Sequence, residues 1–217
     1  MPAPPAPFTR AEFERGERTV LNAGRWANAV VYRLARPDGE WVVKDFAPRH
    51  WLVRATIGAF LVGRETRALS RLAGVDGVPG DAFRLDRHAL ACRYLRGTPL
   101  HQTDDRPPPP AFFEAFEALM GRIHARGLVH LDNRNARNVI VREDGSPGLI
   151  DFQSYLATGW LPQRWRRGIE RFDLAGVYKH WYGRWPDTLG RERLDILERM
   201  NRRRRLWVLR GYPGRRR

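Results

Sequence analysis

One polar segment holds most of the side chains of this 217-residue chain that could do chemistry. Asp132 and Asn138 lie between a helical pattern that ends at Gly127 and a short apolar strand at Val139–Val141. Asp151 follows ten residues after that strand, at the end of another apolar run. Magnesium prefers hard oxygen ligands of this kind, and a separate carboxylate can orient an attacking hydroxyl and accept its proton. The pattern therefore predicts a magnesium–nucleotide site on loops at strand ends.

A lysine of the first half lies in the middle of an apolar strand. Val30–Leu34 and Trp41–Phe46 have the composition of strands, and the Arg-Pro-Asp-Gly sequence at 36–39 is a strong turn signal. The two strands are predicted to form a hairpin. Most mid-strand lysines are exposed, but an unpaired charge in this apolar setting would be costly. Lys44 is therefore a candidate site residue.

Further helices and strands must position these side chains. Apolar residues at helical spacing predict a helix over Leu52–Leu72 and an amphipathic helix over Phe112–Arg126. A strand is predicted at Leu90–Leu95. The run Pro107–Pro110 cannot be helical and is predicted to be a stiff connector between lobes. From about Gln163 the remainder is predicted to be helical.

In their order along the chain these residues resemble the protein-kinase-like superfamily, in particular its small bacterial lipopolysaccharide-core sugar kinases and the RIO-type atypical kinases. The catalytic loop of that superfamily reads His-x-Asp followed by an Asn, here His130–Asp132 and Asn138. The metal-binding Asp-Phe-Gly corresponds to Asp151–Gln153. The resemblance implies that Asp132 is the catalytic base and that Asn138 and Asp151 hold Mg²⁺.

The resemblance also implies a nucleotide site in the first half of the chain. Lys44 matches the strand lysine that contacts the α- and β-phosphates of ATP, and Glu65 is its expected ion-pair partner. A phosphate-covering loop is expected at 22–28, with Gly24 as its only glycine. The residues expected at the adenine-binding hinge are Arg93, Tyr94 and Leu95. ATP and Mg²⁺ are the cofactors that the resemblance implies.

Two departures from the family pattern affect the site. Asn138 is six residues after Asp132, whereas the family Asn usually comes five residues after the catalytic Asp, so Asn135 or Asn133 could take its role. Gln153 replaces the glycine of Asp-Phe-Gly and restricts the backbone at that point. We therefore expect no flipping regulatory switch there.

A third carboxylate also has a counterpart in the family. Asp173 resembles the buried aspartate of the helix that follows the site, which accepts hydrogen bonds from the catalytic-loop backbone. An N-cap or surface aspartate is the alternative.

The fold implied is α+β and bilobal, with an antiparallel-sheet N-lobe that carries one main helix and a reduced, mostly helical C-lobe. The predicted divisions are an N-terminal extension at 1–19, the N-lobe at 20–96, a hinge and Pro-rich connector at 97–110, and the C-lobe with a basic tail at 111–217.

Composition gives an expectation for the cellular compartment in which the protein works. The single cysteine, Cys92, excludes an internal disulfide and fits a reducing compartment. The start of the chain has no signal-peptide pattern, and the longest apolar stretch, Trp51–Gly63, is too short to span a bilayer. We expect a cytoplasmic protein, with peripheral contact at the inner membrane as a further expectation.

Basic residues are concentrated toward the end of the chain. The formal net charge is +15, and from Trp160 onward seventeen Lys/Arg stand against six Asp/Glu. This indicates an anionic partner, such as a phosphorylated substrate, nucleic acid or anionic lipid; a solvated Arg-rich surface is the alternative. The apolar stretch Trp51–Val62 is expected to pack on the sheet, with an interfacial membrane contact as its alternative.

The residues after Asp151 narrow the choice of acceptor. Only sixty-six residues remain, and they contain no Ala-Pro-Glu motif of the kind that peptide kinases carry. We therefore expect an ATP-dependent kinase that acts on a hydroxyl of an anionic sugar or lipopolysaccharide-type glycolipid. The first alternative is an atypical RIO-like protein serine/threonine kinase. The second is a non-catalytic module that binds nucleic acid or anionic membrane through the basic tail.

Overall fold

The computed structural model describes residues 6–26 and 28–206, with side chains up to 203. The last part of the predicted basic tail, 207–217, lies outside the described residues. The described chain forms a sheet-containing first lobe and a mostly helical second lobe. The α+β, bilobal organisation predicted from the sequence is confirmed.

The first lobe is built on a five-stranded antiparallel sheet with the order β1-β2-β3-β5-β4. Its strands are β1 Arg18–Asn22, β2 Val30–Arg36, β3 Gly39–Asp45, β4 Phe83–Arg84 and β5 Ala89–Arg93. The predicted hairpin is β2–β3, in which Val31 pairs with Lys44. Since side chains alternate along a strand, Trp41 and Val43 are buried on one face while Lys44 lies on the other.

Three helices accompany this sheet: α1 Arg10–Arg15, α2 Trp51–Val53 and α3 Ala59–Arg71. A π-helical turn at Arg54–Gly58 joins α2 to α3. The helix predicted over Leu52–Leu72 is therefore one helical segment with a wider turn inside it. Gly58 allows this turn to lie directly on the sheet, because a Cβ there would be 2.8 Å from the Phe46 ring.

Only one side of this helical segment packs on the sheet. Val53 and Val62 are buried, whereas Trp51 and Phe60 are exposed. The expectation that the stretch Trp51–Val62 packs on the sheet is therefore met by Val53 and Val62 but not by its four exposed apolar side chains, Trp51, Leu52, Ile57 and Phe60.

The beginning of the described chain packs against the first lobe. Phe8 and Phe13 are buried in one cluster with Trp41, and Arg10 lies 2.7 Å from a carboxylate oxygen of Asp45. The sequence analysis assigned these residues to an extension, because two isolated phenylalanines in a Pro-rich start have no helical or strand period. In the structure they supply rings to the core of the first lobe.

The second lobe is built around long helices. Its helices are α4 Pro110–Ala125, α5 Gln163–Tyr182 and α6 Arg191–Leu206. Its strands are β6 Thr98–Pro99, β7 Leu128–Val129, β8 Val139–Val141, β9 Pro147–Leu149 and β10 Leu156–Ala157, and short 3₁₀ turns lie at Leu100–Gln102, Phe152–Ser154 and Pro186–Thr188. The strands form one sheet of order β6-β8-β9 and a β7–β10 pair. Phe113, Phe116 and Met120 of α4 are fully buried in the core.

The residues predicted as a connector are largely part of the second lobe. Thr98 pairs with Val141 of β8, and Trp185 donates from Nε1 to the Pro108 carbonyl at 2.8 Å. Pro110 is the first residue of α4, where the missing N–H of proline costs nothing. The prediction that all four prolines lie outside a helix is therefore wrong for Pro110.

The structure bears on two of the expectations drawn from composition, those about the cysteine and about membrane spans. Cys92 is a free, buried cysteine, and burial raises the pKa of its thiol to about 12. None of the helices within residues 6–26 and 28–206 is long and apolar enough to cross a bilayer.

Gly97, at the crossing between the lobes, requires glycine. Its φ is +146°, and a Cβ would lie 2.3 Å from the Val141 carbonyl oxygen. We expect Gly97→Ala to lower the free energy of unfolding by about 1–3 kcal/mol, measured by urea denaturation. The matched control is Gly121→Ala on the exposed side of α4, where nothing lies within 4 Å and alanine should raise stability by about 0.5–1 kcal/mol. A Gly97→Ala protein as stable as wild type would contradict this account.

Candidate active site

A cavity of about 600 Å³ lies between the sheet and the second lobe. Seven of the predicted site residues line it: Lys44, Glu65, Arg93, Tyr94, Leu95, Asn138 and Asp151. Gly24 belongs to a loop whose ends, Asn22 and Asn28, also line the cavity. Asp132 is in contact with Asn138. Folding therefore brings the two predicted halves of the site to one cleft.

Lys44 lies between two carboxylates from different parts of the chain. Its Nζ is 2.7 Å from Glu65 Oε1 and 2.8 Å from Asp151 Oδ1. Burial lowers the pKa of Lys44, but attraction to these two carboxylates outweighs burial and holds the pKa above its ordinary value. Lys44 is therefore cationic at neutral pH. The predicted Lys44–Glu65 ion pair is present.

Glu65 connects the two lobes. It projects from α3, is 1% exposed, and accepts a hydrogen bond from the Phe152 backbone N–H at 3.2 Å as well as those from Lys44. Its carboxylate thus joins the sheet to the segment that carries Asp151. Shifting α3 would break contacts in both lobes.

Asp151 directly precedes the 3₁₀ turn at Phe152–Ser154. Its own backbone is left-handed, with φ +68°. Burial raises the pKa of its carboxyl, but Lys44 outweighs burial and the pKa lies below the ordinary value. The carboxylate keeps 39% of its side-chain surface exposed. Asp151 is therefore an ionised oxygen donor that faces the cavity.

Asn138 orients the carboxylate of Asp132. Its Nδ2 donates to Asp132 Oδ2 at 2.8 Å and to the Asp132 carbonyl at 3.2 Å. Burial raises the pKa of Asp132, against the hydrogen bond from Asn138. A carboxylate with a raised pKa is a better proton acceptor. With Nδ2 engaged, Oδ1 of Asn138 is the oxygen that remains for a metal.

The two alternative asparagines are differently placed. Asn133 is 1% exposed, and its Nδ2 donates to the Asp173 carbonyl at 2.7 Å. Asn135 Oδ1 accepts from the Arg137 N–H at 3.2 Å, within the loop itself. Asn133 does not line the cavity, whereas Asn135 and Asn138 both do, so the geometry sets aside Asn133 and leaves Asn138, which bonds Asp132 from Nδ2, as the amide used in the proposal below.

Asp173 of α5 is fully buried and organises the catalytic loop. It accepts hydrogen bonds from the backbone N–H groups of His130 at 2.7 Å and Leu131 at 2.8 Å, and from Nε2 of His124 at 3.1 Å. The backbone at Leu131 is left-handed, with φ +67°. The buried role predicted for Asp173 is confirmed.

His130 links the two acidic segments. Its Nε2 donates to the Ile150 carbonyl at 3.0 Å and its Nδ1 accepts from the Asp132 N–H at 3.2 Å. The Phe152 ring packs edge-on against the imidazole at 4.7 Å. His130 therefore fixes the backbone at Ile150, just before Asp151, and at Asp132. It does not itself line the cavity.

Comparison with known proteins gives a consistent picture of the fold. No family model matches the chain. A 72-residue segment, 33% of this chain, is 35% identical to serine/threonine-protein kinase rio2 of Schizosaccharomyces pombe and covers 21% of that protein. The match thus spans about a fifth of the curated relative. The crystal structure of the Rio2 kinase–ADP/Mg²⁺–phosphoaspartate complex from Chaetomium thermophilum superposes with a TM-score of 0.59 at 14% identity, over 90% of this chain and 74% of that chain.

This chain has a protein-kinase-like fold. It is similar to RIO-type atypical kinases, as the sequence analysis stated. The likeness to lipopolysaccharide-core sugar kinases is not confirmed.

The hinge of this kinase-like fold leaves one backbone donor for a ligand. The N–H groups of Arg93 and Tyr94 donate to the carbonyls of Gly80 and Glu40, both at 2.9 Å. Leu95 lines the cavity, and its N–H has no backbone partner within the described chain. Of the three predicted hinge residues, Leu95 is therefore the one whose backbone N–H is left to donate a hydrogen bond to adenine.

The Arg93 side chain turns away from the cavity. Its guanidinium lies 4.0 Å from the centre of the Trp41 ring and pairs with Asp81 at 2.8 Å. Arg93 contributes backbone to the hinge and charge to the outer surface of the sheet.

The predicted phosphate-covering loop is described except for residue 27, which lies outside the described residues. Gly24 has φ +66°, and a Cβ there would lie 2.4 Å from the Ala29 carbonyl oxygen. Arg49 donates to the carbonyls of Ala23 and Asn28 and so holds both sides of the loop. Sequence reasoning did not identify Arg49, because nothing in its local pattern signals a contact with a loop more than twenty residues earlier.

Arg137 is a second cavity residue that sequence reasoning missed. It is exposed and lines the cavity beside Asn138. Arg134, in the same loop, points the other way and donates to the Ala175 carbonyl and to Asn201 Oδ1. The only signal in the sequence is that the loop contains two arginines. This signal does not identify which of the two faces the cavity.

The donor set fits magnesium bound together with a nucleotide. Within the described residues, no group of three or more His, Cys, Asp or Glu side chains could hold a metal by itself. Asp151 supplies one carboxylate and Asn138 one amide oxygen. Mg²⁺ usually takes one or two protein carboxylates, with phosphate oxygens and waters completing its shell.

The buried His180 of α5 makes stability depend on pH. Its Nε2 donates to the Asn133 carbonyl at 3.0 Å, and burial, with the charges of Lys179, Arg184 and Arg134, lowers its pKa from 6.5 to about 4. Between these values the unfolded state binds more protons, so stability falls as pH falls, by up to about 1.4 kcal/mol per pH unit. His180→Gln, which keeps an N–H donor, should give a shallower pH dependence in urea unfolding between pH 7 and 5. Parallel curves for the two proteins would contradict the assignment.

Proposed function

We propose that this chain is an ATP-dependent phosphotransferase that transfers the γ-phosphate to a hydroxyl. The observation that carries the proposal is the Lys44 ammonium, held between Glu65 and Asp151 at a cleft that Asn138 also lines. In protein kinases the strand lysine paired with a helix glutamate and the aspartate that holds Mg²⁺ must both be in place for transfer. Both arrangements have their counterparts here.

Each residue has a distinct part in the proposed reaction. Lys44 neutralises the α- and β-phosphates, and the Leu95 N–H hydrogen-bonds to adenine. Asp151 and the Oδ1 of Asn138 would hold Mg²⁺, and the bound ion would offset charge on the phosphates. Asp132 orients the acceptor hydroxyl and takes its proton as the oxygen bonds to phosphorus and ADP leaves. Catalysis of this kind consists mainly of positioning and electrostatic stabilisation.

The acceptor that the comparisons favour is a protein side chain. The relative matched over 72 residues is named as a serine/threonine-protein kinase, and this supports the RIO-like alternative over the sugar or lipopolysaccharide acceptor. The sugar acceptor was inferred from the short segment after Asp151 and from the basic charge of the second half, and neither of these comparisons supports it. We therefore propose a protein hydroxyl as acceptor.

A phosphoaspartate is the second product worth testing. The solved Rio2 complex is described as containing ADP/Mg²⁺ and phosphoaspartate. The candidate acceptors in this chain are the carboxylates of Asp151, which lines the cavity, and of Asp132, which is bonded to the cavity residue Asn138.

The non-catalytic reading has less support. A module that binds nucleic acid or membrane only through its tail has no need for a buried Lys44 between two carboxylates, because charge burial is costly unless it serves a site. A cytoplasmic location remains a prediction.

The test of the proposed function is incubation of the purified chain with γ-labelled ATP and Mg²⁺, alone and with a general protein substrate such as casein. Transfer of label to protein is expected. Label on this chain that hydroxylamine releases would identify an acyl phosphate, and label that resists it a phosphohydroxyl. No thermal shift with Mg–ATP and no transfer to any acceptor would contradict the proposal.

Replacing the two aspartates should have different consequences. Asp132→Ala should lower turnover about 10²–10⁴-fold, as for loss of a general base, with little loss of ATP affinity. Asp151→Ala should instead weaken Mg²⁺-dependent ATP binding, because it removes a metal ligand and a partner of Lys44. Thermal shift titrations with ATP, with and without Mg²⁺, separate the two. Equal loss of nucleotide binding in both variants would refute the division of roles.

Arg137 should act on the phosphate or acceptor side of the reaction. Loss of a hydrogen bond from a charged group is worth about 1.5–3 kcal/mol, so Arg137→Ala should lower kcat/KM about tenfold or more. The control is Arg171→Ala, which removes the same charge from an exposed position of α5 outside the cavity. Equal kcat/KM values for the two variants would show that only overall charge matters.

A further inference from the structure

One surface of the first lobe is apolar without being covered. We call it the α2–α3 face; its exposed apolar side chains are Trp51 at 61%, Leu52 at 52%, Ile57 at 46% and Phe60 at 59% exposure. The opposite side of the same helical segment, with Val53 and Val62, packs on the sheet. The core is therefore complete without these four side chains. An exposed apolar group of this kind indicates an interaction surface.

The exposed charges of the segment that carries this face are of one sign. Between Ala47 and Gly74 the only acidic residue is Glu65, which is buried and paired with Lys44. The same segment contains five arginines: Arg49, Arg54, Arg64, Arg67 and Arg71. The charge of this segment therefore favours a partner that carries negative charge.

These arginines keep their charge uncompensated within the described chain. None forms an ion pair with a carboxylate. Where their guanidinium groups are bonded, the acceptors are neutral carbonyls: Arg54 donates to Ala47, Arg64 to Gln153 and Tyr155, and Arg67 to Gly63. A carbonyl acceptor fixes the direction of a guanidinium without cancelling its charge.

We propose that the α2–α3 face docks on an anionic phospholipid bilayer. Trp51, Leu52, Ile57 and Phe60 enter the boundary between headgroups and acyl chains, and the exposed arginines, Arg54, Arg67 and Arg71, lie at the level of the phosphates. Interfacial helices bind membranes with this combination of an apolar side and flanking cations. Tryptophan is also the residue type enriched at membrane–water boundaries, and basic residues near an anionic leaflet add about 1 kcal/mol each.

Nucleic acid would complement the positive charge of the α2–α3 face, but it does not suit the apolar side chains of that face. Single-stranded nucleic acid is bound by stacking bases on aromatic rings along a cationic track. Leu52 and Ile57 have no flat ring for a base to stack on, and they make up half of the apolar group. A lipid boundary accepts aliphatic and aromatic side chains alike.

Docking on this face is compatible with the cleft and does not depend on the proposed function. Glu65 projects from the buried side of α3, so the Lys44–Glu65 ion pair is not part of the docking surface. Membrane binding should therefore occur without nucleotide. It can be measured whether or not phosphotransfer is found.

The experiment is co-sedimentation of the full chain with phosphatidylcholine vesicles, with and without phosphatidylglycerol. Binding is expected only when phosphatidylglycerol is present and should weaken with added salt. Trp51→Ala with Phe60→Ala should lower the affinity about tenfold or more, since the transfer of exposed ring area to the lipid boundary is lost. Arg67→Gln with Arg71→Gln should lower it by about fivefold for each charge removed.

The matched control is Trp165→Ala. Trp165 is 60% exposed on α5 and is also surrounded by arginines, at 164, 166 and 167, but it is not on the α2–α3 face. It should retain wild-type binding. Thermal unfolding without ligand verifies that each variant is folded, and the Arg67/Arg71 variant, altered only at exposed side chains, remains a test if the Trp51/Phe60 variant unfolds.

Several results would overturn the proposal. These are absence of binding to phosphatidylglycerol vesicles, equal binding to phosphatidylcholine alone, or an equal loss of affinity with Trp165→Ala. The proposal would also be overturned if the wild-type chain bound a single-stranded RNA oligonucleotide in preference to vesicles, with the same loss for the Trp51/Phe60 variant.

Discussion

The structure depends on one buried cation that is shared by two carboxylates. Lys44 comes from the sheet, Glu65 from α3 and Asp151 from a turn of the second lobe, so the three charges cannot meet unless both lobes are folded and adjacent. Removing one partner of such a group leaves an uncompensated buried charge and commonly costs 3–5 kcal/mol. Since Glu65 also accepts the Phe152 N–H, the same interaction sets the position of α3 and the width of the cleft.

A second buried carboxylate, that of Asp173, fixes the position of the catalytic loop, just as Glu65 fixes the position of α3 at the cleft. Asp173 is stabilised by two backbone N–H groups and by Nε2 of His124. Those bonds hold Leu131 in a left-handed conformation that an L-residue rarely adopts. The strain is next to Asp132, and the buried Asp173 of α5 supplies the contacts that maintain it.

Charge is used differently inside and outside the protein. Inside, Lys44 is paired with Glu65 and Asp151, because burial of an unpaired charge is costly. On the α2–α3 face the arginines have only carbonyl partners, and apolar side chains lie among them. Since water compensates exposed charges, this arrangement is tolerated in the free protein and remains available for a partner.

The sequence alone determined the local elements and the chemical types of the site residues. The β2–β3 hairpin follows from strand composition and a Pro-Asp-Gly turn, and the long helices follow from their apolar periods, because these signals act over a few neighbouring residues. The order of Lys44, Glu65, Asp132 and Asp151 was also enough to predict that they share a site.

Only the tertiary structure decided which way particular side chains point. Asn138 and Asn133, or Arg137 and Arg134, are alike in the sequence, and their places separate only through contacts with Asp132, Asp173, Ala175 and Asn201. The burial of Phe8 and the exposure of Phe60 were decided in the same way. The physical reason is that side-chain direction and burial depend on partners distant in sequence, and these become neighbours only when the lobes have packed.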